Sequence, residues 1–205
     1  MAFDLDGFEA IDWSAPLDAE AVLASVPDDV TVKGMFIARM LRDAERAGVP
    51  VDARGPYRSF KDYPLRELMD IELAVARGMF ADLPLSEALR RLGHTAFPTL
   101  MESLIGRVIF APAGRNLARV IRLASRGYKV SISDADVSVH DIGEDNGVVV
   151  TLSRLYNFAT SFQVGVFEGA ALYYECTPDV RIRERGLHDV DLLVRWTPQT
   201  AASSG

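Results

Sequence analysis

The apolar residues of this chain change period near residue 135, and that change restricts the fold more than any other feature. Before it, they recur at the three- and four-residue spacing of helices buried on one side. "VTVKGMFIARMLRDAERAG" sets Val32, Phe36, Ile37, Met40, Leu41 and Ala44 on one stripe, ended by Gly48 and Pro50. "FPTLMESLIGRVI" does the same with Phe97, Leu100, Met101, Leu104, Ile105 and Val108. "NLARVIRLASRG" follows with Leu117, Val120, Ile121 and Ala124, capped by Asn116 and closed by Gly127. After the change, "DVSVHDI" and "GVVVTLSRL" alternate as strands do. Asn146-Gly147 lies between them, a pair suited to a hairpin turn with two positive φ angles. A glycine-containing helix over about 156–175 comes next, then two last strands, "DVRIRER" and "DVDLLVRW". An N-terminal helical region followed by two hairpins separated by a long helix predicts an α+β fold, with a small antiparallel sheet packed on helices.

The remaining stretches fit one domain with short ends. Residues 1–30 read as an acidic N-terminal extension holding one helix over about 17–25, stopped by Pro27. Residues 31–197 form the domain, and 198–205, from "PQTAASSG", a loose tail. Within the domain, Asp62 is placed to cap a helix with Pro64 in its first turn. Ser86 can cap "LSEALRRLG", and Gly93 stops it. The 205 residues are 49% hydrophobic, enough to bury a sizeable core. A net charge of −7 argues against nucleic acid or an anionic membrane as partner. Cys176 is the only cysteine, so neither an intrachain disulfide nor a cysteine zinc cluster can form. No apolar run is long enough to cross a membrane, and the first residues lack the basic and apolar regions of a signal peptide. A reducing, cytoplasmic setting is the expectation.

Chemistry is sparse. Stepping 100° per residue around 156–175 puts Phe158, Phe162, Val166, Gly169, Ala170, Tyr173 and Tyr174 on an apolar face. Glu168 falls with Thr160, Ser161 and Glu175 on the opposite edge and is expected to be solvated. Gly169, on the packing face, lets another element come close. His94, His140 and His188 lack the spacing of helical metal ligands and read as surface or capping residues. Asp134, Asp136, Asp141, Glu144 and Asp145 lack the order of a calcium loop and read as a solvated hairpin. Cys176 ends the long helix beside Glu175, an anion that blunts a thiol. Arg181, Arg183 and Arg185 alternate along one strand and Arg195 joins from the next. They read as a solvated sheet face or as a basic patch for an acidic protein partner. No nucleophile–base pair, phosphate loop or nucleotide fingerprint is present, so no catalytic residue is assigned and the chain is not read as an enzyme.

"VKGMF", "YRSFKDYPLRELM", "EALRRLG", "GVFEGA" and "LLVRW" are similar, in that order, to a paralogous family of myxobacterial proteins of unknown function. More distantly, the "KG" opening a helix, the helix–hairpin–helix–hairpin finish and "GVFEG" resemble the H-NOX (heme–nitric oxide/oxygen-binding) domains. The vinyl-reductase and Golgi transport-particle domains share that architecture. The resemblance implies an H-NOX-like fold with Phe36, Met40, Ala96, Leu100 and Tyr128 around an apolar pocket. It also places Tyr128 where H-NOX proteins carry the heme-ligating histidine, and Ser153, Leu155 and Asn157 where they hold the heme propionates. Both signatures are missing, so no cofactor is expected. The reading is a heme-free module that binds a small apolar or lipid-like ligand or a protein, as monomer or homodimer. The same residues could instead fill a core and leave a scaffold. The alternative is a heme gas sensor with atypical ligation through Tyr128 or a displaced histidine.

Overall fold

A computed structural model describes residues 3–199. Helices fill the first two-thirds of it: α1 (Ala19–Ala24), α2 (Gly34–Arg46), α3 (Leu65–Met79), α4 (Leu85–Gly93), α5 (Ala96–Glu102), α6 (Leu104–Phe110), α7 (Leu117–Arg122) and α8 (Ala124–Ser131). Two short strands, β1 (Thr31–Lys33) and β2 (Asp62–Pro64), pair antiparallel among them. The main sheet follows, with β3 (Asp136–Asp141), β4 (Gly147–Ser153), β5 (Cys176–Gly186) and β6 (Asp189–Pro198) in the order β3-β4-β6-β5, all antiparallel. Helix α9 (Phe162–Tyr173) connects the two hairpins and lies between the sheet and the other helices. The α+β class and the two hairpins flanking one helix are as the periodicity predicts.

The local differences each have a physical reason. Asp62 caps no helix; it pairs with Lys33 at 2.7 Å, and α3 begins at Leu65. Ser86 likewise caps nothing, its hydroxyl donating to the Trp13 carbonyl at 2.7 Å. The stripe 97–108 is broken at Ser103, whose extended backbone (ψ 154) and side chain start α6 by accepting from Gly106 N at 2.9 Å. The break turns Leu104 and Val108 outward, 63% and 68% exposed. Asn116 does cap α7, accepting from Arg119 N at 2.9 Å, but Gly127 lies inside α8. Asn146 and Gly147 are not among the positive-φ residues; Gly143 is, at φ 81, within a longer connection. Asn146 instead prolongs the pairing, its carbonyl accepting from Trp196 N. Cys176 opens β5 rather than ending α9.

The acidic N-terminal segment is built into the fold. Glu9 bridges Ile182 on β5, the edge strand, which gives that edge a partner. Phe3 packs against His140 with the rings tilted, and the Arg183 guanidinium lies over the Phe3 and Phe8 rings. Val149 and Leu193, cross-strand neighbours, are buried, as are Val148, Val150 and Val194. Of the expected tail, Pro198 closes β6 and Gln199 N donates to the Glu175 carbonyl at 2.9 Å; residues 200–205 lie outside the described residues.

The largest difference concerns α9. It starts at Phe162, and Glu168 is buried, 5% exposed. The edge read as solvated is covered by α4, which approaches through three glycines. A Cβ on Gly169 would sit 2.5 Å from the His94 carbonyl oxygen, one on Gly165 would fall on the Arg90 carbonyl, and one on Gly93 on the Phe162 carbonyl. Gly169 is thus the close-packing position expected, but its neighbour there is backbone. Tyr173, expected on the apolar face, is 48% exposed. A helix flanked by neighbours on nearly all sides has no solvated stripe to show in its sequence.

Candidate functional site

A cavity of about 80 Å³ lies among α2, α5, α8 and α9. Its walls are apolar: Phe36 from α2, Leu100 from α5, Phe110 from α6, Ile121 from α7, and Val166 and Phe167 from α9. Gly127 explains why α8 comes close, since a Cβ there would meet Phe110 at 3.2 Å and Leu100 at 3.4 Å. Of the five residues that the resemblance puts around a pocket, Phe36, Ala96, Leu100 and Tyr128 line the cavity. Met40 does not; it is buried in the main core at 2% exposure, one turn beyond Phe36 on α2.

One end of the cavity is polar, and periodicity did not reveal it. Tyr128 donates its hydroxyl to Gln163 Oε1 at 2.5 Å, and its ring stacks on Phe167 with 6.2 Å between centroids. Gln163 Nε2 donates to the Asn157 carbonyl at 3.1 Å. Asn157 Nδ2 donates to Glu72 Oε1 at 3.2 Å. Glu72 and Asn157 are 0% and 1% exposed, and Glu72 Oε2 and Asn157 Oδ1 have no protein partner. The signal for Glu72 was in the sequence: on "LRELMDIELAV" it falls among Leu68, Ile71, Leu73 and Val75, on a helix too apolar for a carboxylate to reach water throughout.

Burial holds the Glu72 carboxyl at a pKa raised to about 8 from an ordinary 4.5, against a smaller opposing effect of the Asn157 hydrogen bond. Between those values the unfolded chain has released the proton and the folded protein keeps it. Stability therefore falls as pH rises through that window and levels off above it. The slope is at most about 1.4 kcal/mol per pH unit. Glu72→Gln should remove it, so the melting temperature gained over wild type should grow from about pH 5 to about pH 8. A gain that is constant across that range would contradict the buried neutral acid. Burial also pushes the Tyr128 hydroxyl above its ordinary range.

A second polar cluster sits on the far side of α9. Arg90 Nε donates to Glu168 Oε2 at 2.6 Å and Arg90 Nη2 to Oε1 at 3.0 Å. His94 Nε2 lies 2.9 Å from Oε2, Glu87 holds Arg90 at 2.9 Å, and Arg90 lies over the Trp13 ring. His94, expected as a surface or capping residue, is therefore a partner of Glu168. The cluster ties α4, α9 and the N-terminal segment together.

The other sequence candidates are occupied within the molecule. Arg183 and Arg185 bind the buried Asp191 at 3.0 and 3.1 Å, and Arg195 binds Glu144 at 2.7 Å. The expected basic patch is thus largely neutralised, because Asp191 on β6 lies opposite Arg183 in the sheet register. Arg181, which is exposed, is the one of the four with no ion pair among the described residues. The hairpin carboxylates are engaged too, Asp141 by Arg122 at 2.6 Å and Asp134 by Arg154 at 3.4 Å. His188 bonds Ser25 at 2.8 Å. Among the described residues, no group of three His, Cys, Asp or Glu could hold a metal ion, and no helix is long and apolar enough to cross a membrane. Burial first, then Glu175, raises the Cys176 thiol pKa.

Residues 25–197, which span α2 through nearly all of β6, match the family described as "Protein of unknown function (DUF2378)". The chain belongs to this family. No curated protein matches the sequence. Solved structures show where the family's fold sits. An H-NOX protein from S. oneidensis in the Fe(II)NO ligation state superposes with a TM-score of 0.61 at 15% identity, covering 80% of this chain and 99% of that one. The Fe(II) unliganded H-NOX protein from K. algicida gives 0.59 at 10%, covering 82% and 98%. A mutant H-NOX from T. tengcongensis gives 0.61 at 16%, covering 82% and 100%. This member of the DUF2378 family has an H-NOX-like fold; at such identities the likeness is one of fold.

Proposed function

We propose that the protein is a non-enzymatic, heme-free sensor or signalling module that binds a small, mainly apolar ligand in the cavity between α5, α8 and α9. The cavity itself carries this reading, since it sits within a fold shared with ligand-binding domains and is walled by aromatic and aliphatic side chains. Its volume of about 80 Å³ favours a small molecule over a lipid chain. Pockets for drug-sized ligands run to about 300–1,000 Å³.

The residues present do not fit a heme. No histidine is among the cavity-lining residues. Tyr128, the residue at the ligating place, already donates to Gln163, and its hydroxyl is held protonated by burial. At the propionate-clamp positions, Leu155 is fully buried and Asn157 is bound to Glu72. Phe36, Leu100 and Phe167 wall a cavity of about 80 Å³.

Xenon tests the cavity directly, because dry apolar cavities take it up. Crystals pressurised with xenon should show a site bounded by Phe36, Leu100 and Phe167. A cavity that stays empty of xenon while the gas binds elsewhere would mean that these residues merely complete the core.

A further inference from the structure

We propose that the outer face of α6, α7 and α8 docks an acidic amphipathic helix of a partner protein. From Ser103 to Ser133 the chain holds five Arg, one Lys and no Asp or Glu, so all 29 Asp and Glu side chains lie elsewhere. The six cations are all exposed. The net charge of −7 conceals this face. Exposed charges more than about 8 Å apart are largely screened at physiological salt, so the local sign decides what approaches.

Helix α6 is apolar on two sides. Gly106, Phe110 and Ala113 are buried, whereas Leu104, Arg107, Val108, Ala111 and Pro112 are exposed, on α6 and the single 3-10 turn (Ala111–Ala113) that continues it. The exposed set recurs at i, i+3, i+4, i+7 and i+8, a continuous helical stripe with Arg107 its one polar member. Leu104 and Val108 are the most exposed large apolar side chains among the described residues. An apolar stripe on the outer as well as the inner side is the pattern of a helix that is covered on both.

Beyond Gly114 the cations take over. Arg119, Arg122, Arg126 and Lys129 follow at spacings of three and four along α7 and α8, which only Leu123 separates. This row belongs to helices beside α6, since a Cβ on Gly127 of α8 would meet Phe110 of α6 at 3.2 Å. The arginines of β5 and β6 are answered by Asp191 and Glu144. Here Arg122 pairs with Asp141 and Arg115 reaches Glu175 at 3.7 Å, but Arg107, Arg119, Arg126 and Lys129 have no ion pair among the described residues.

An apolar stripe beside a cationic row is the complement of a helix with aliphatic residues on one side and Asp or Glu on the other. Guanidinium groups suit carboxylates, because two N–H donors meet two oxygens. Nucleic acid offers phosphates but nothing for Leu104 and Val108. A bilayer fits less well too: those two side chains carry about half the carbons of a myristoyl chain, which alone anchors only marginally. The inner sides of the same helices wall the cavity through Phe110, Ile121 and Gly127, but docking outside needs no ligand within.

The test uses the full chain and three probes: a fluorescent helical peptide with Leu on one face and Glu on the other, the same peptide with Lys for Glu, and vesicles of phosphatidylserine in phosphatidylcholine. The Glu peptide should bind saturably and the Lys peptide should not. Arg119→Glu with Arg126→Glu should weaken the Glu peptide at least about tenfold, since attraction becomes repulsion at two positions. Leu104→Ser with Val108→Ser should weaken it about tenfold with every cation in place. Arg181→Glu, at the exposed cation of β5 that also lacks an ion pair, should change it less than about twofold. Every substituted residue is exposed, so folding is spared. A Glu peptide that binds no better than the Lys peptide would overturn the proposal, as would unchanged binding in either double variant or an equal loss in the Arg181 variant. Vesicle binding that is lost in the Arg119 and Arg126 double variant, without binding of the Glu peptide, would make this a lipid-docking face instead.

Discussion

Alanine at Gly165 is expected to destabilise the protein by roughly 3 kcal/mol or more, at or beyond the upper end of ordinary overpacking. Helix propensity alone predicts the opposite, a gain of about 1 kcal/mol. The added methyl decides the sign. It would fall on the Arg90 carbonyl and lie 2.9 Å from that carbonyl carbon and 3.1 Å from Gly93 Cα. Every neighbour is backbone, so no side chain can rotate away. Relief requires α4 and α9 to separate, which also strains the Arg90–Glu168 bonds. Urea melts measure the loss. A Gly165→Ala variant as stable as wild type would mean that the two helices do not meet through their glycines.

Glu168→Gln is expected to cost about 3 kcal/mol, the low end of the roughly 3–5 kcal/mol for breaking a buried ion pair. The carboxylate is 7% exposed and accepts two bonds from Arg90 and one contact from His94. Glutamine preserves the shape but offers a donor where Arg90 also donates. Arg90 is 25% exposed and keeps Glu87, which holds the expected loss at the low end. Arg90 and His94 belong to α4 and Glu168 to α9, so the same interface is probed from its polar side. A loss below about 1 kcal/mol in urea, the size of a solvent-exposed ion pair, would place Glu168 on a solvated edge after all.

Those two residues also show where sequence reasoning stopped. Its periods gave the α+β class, the order of elements and the strands around Asn146, because alternation and 3.6-residue stripes report burial on one side. Helix α9 is covered on nearly every side, so its wheel offered Glu168 a solvent edge that α4 occupies. Gly93, Gly165 and Gly169 were the available signal, since glycines at such spacing on two helices permit backbone contact. Ser103 divides a stripe that reads as one helix because its side chain caps the next helix, a local bond that periodicity does not register. The site was half legible. Phe36, Ala96, Leu100 and Tyr128 came from a resemblance of fold and line the cavity, whereas Met40 turns into the core. Glu72 went unnoticed and Asn157 was placed only by resemblance, because the two lie 85 positions apart and only the folded chain brings α3 to the turn before α9.

Arg181, Arg183, Arg185 and Arg195 teach the converse. Alternation along β5 put the first three on one face, but it could not show that Asp191 on β6 and Glu144 beyond β3 would meet them. A charged row on one strand is informative only with its neighbours across the sheet.

The proposed function requires the H-NOX-like fold to hold a small ligand in this cavity and no heme. Titration of the purified protein with hemin, followed in the Soret region, tests it most directly. The expected spectrum is that of free and loosely associated hemin, with no saturating band and no difference between wild type and Tyr128→Phe. A sharp Soret band that saturates at one heme per chain and disappears in Tyr128→Phe would contradict the claim and establish tyrosine-ligated heme in its place.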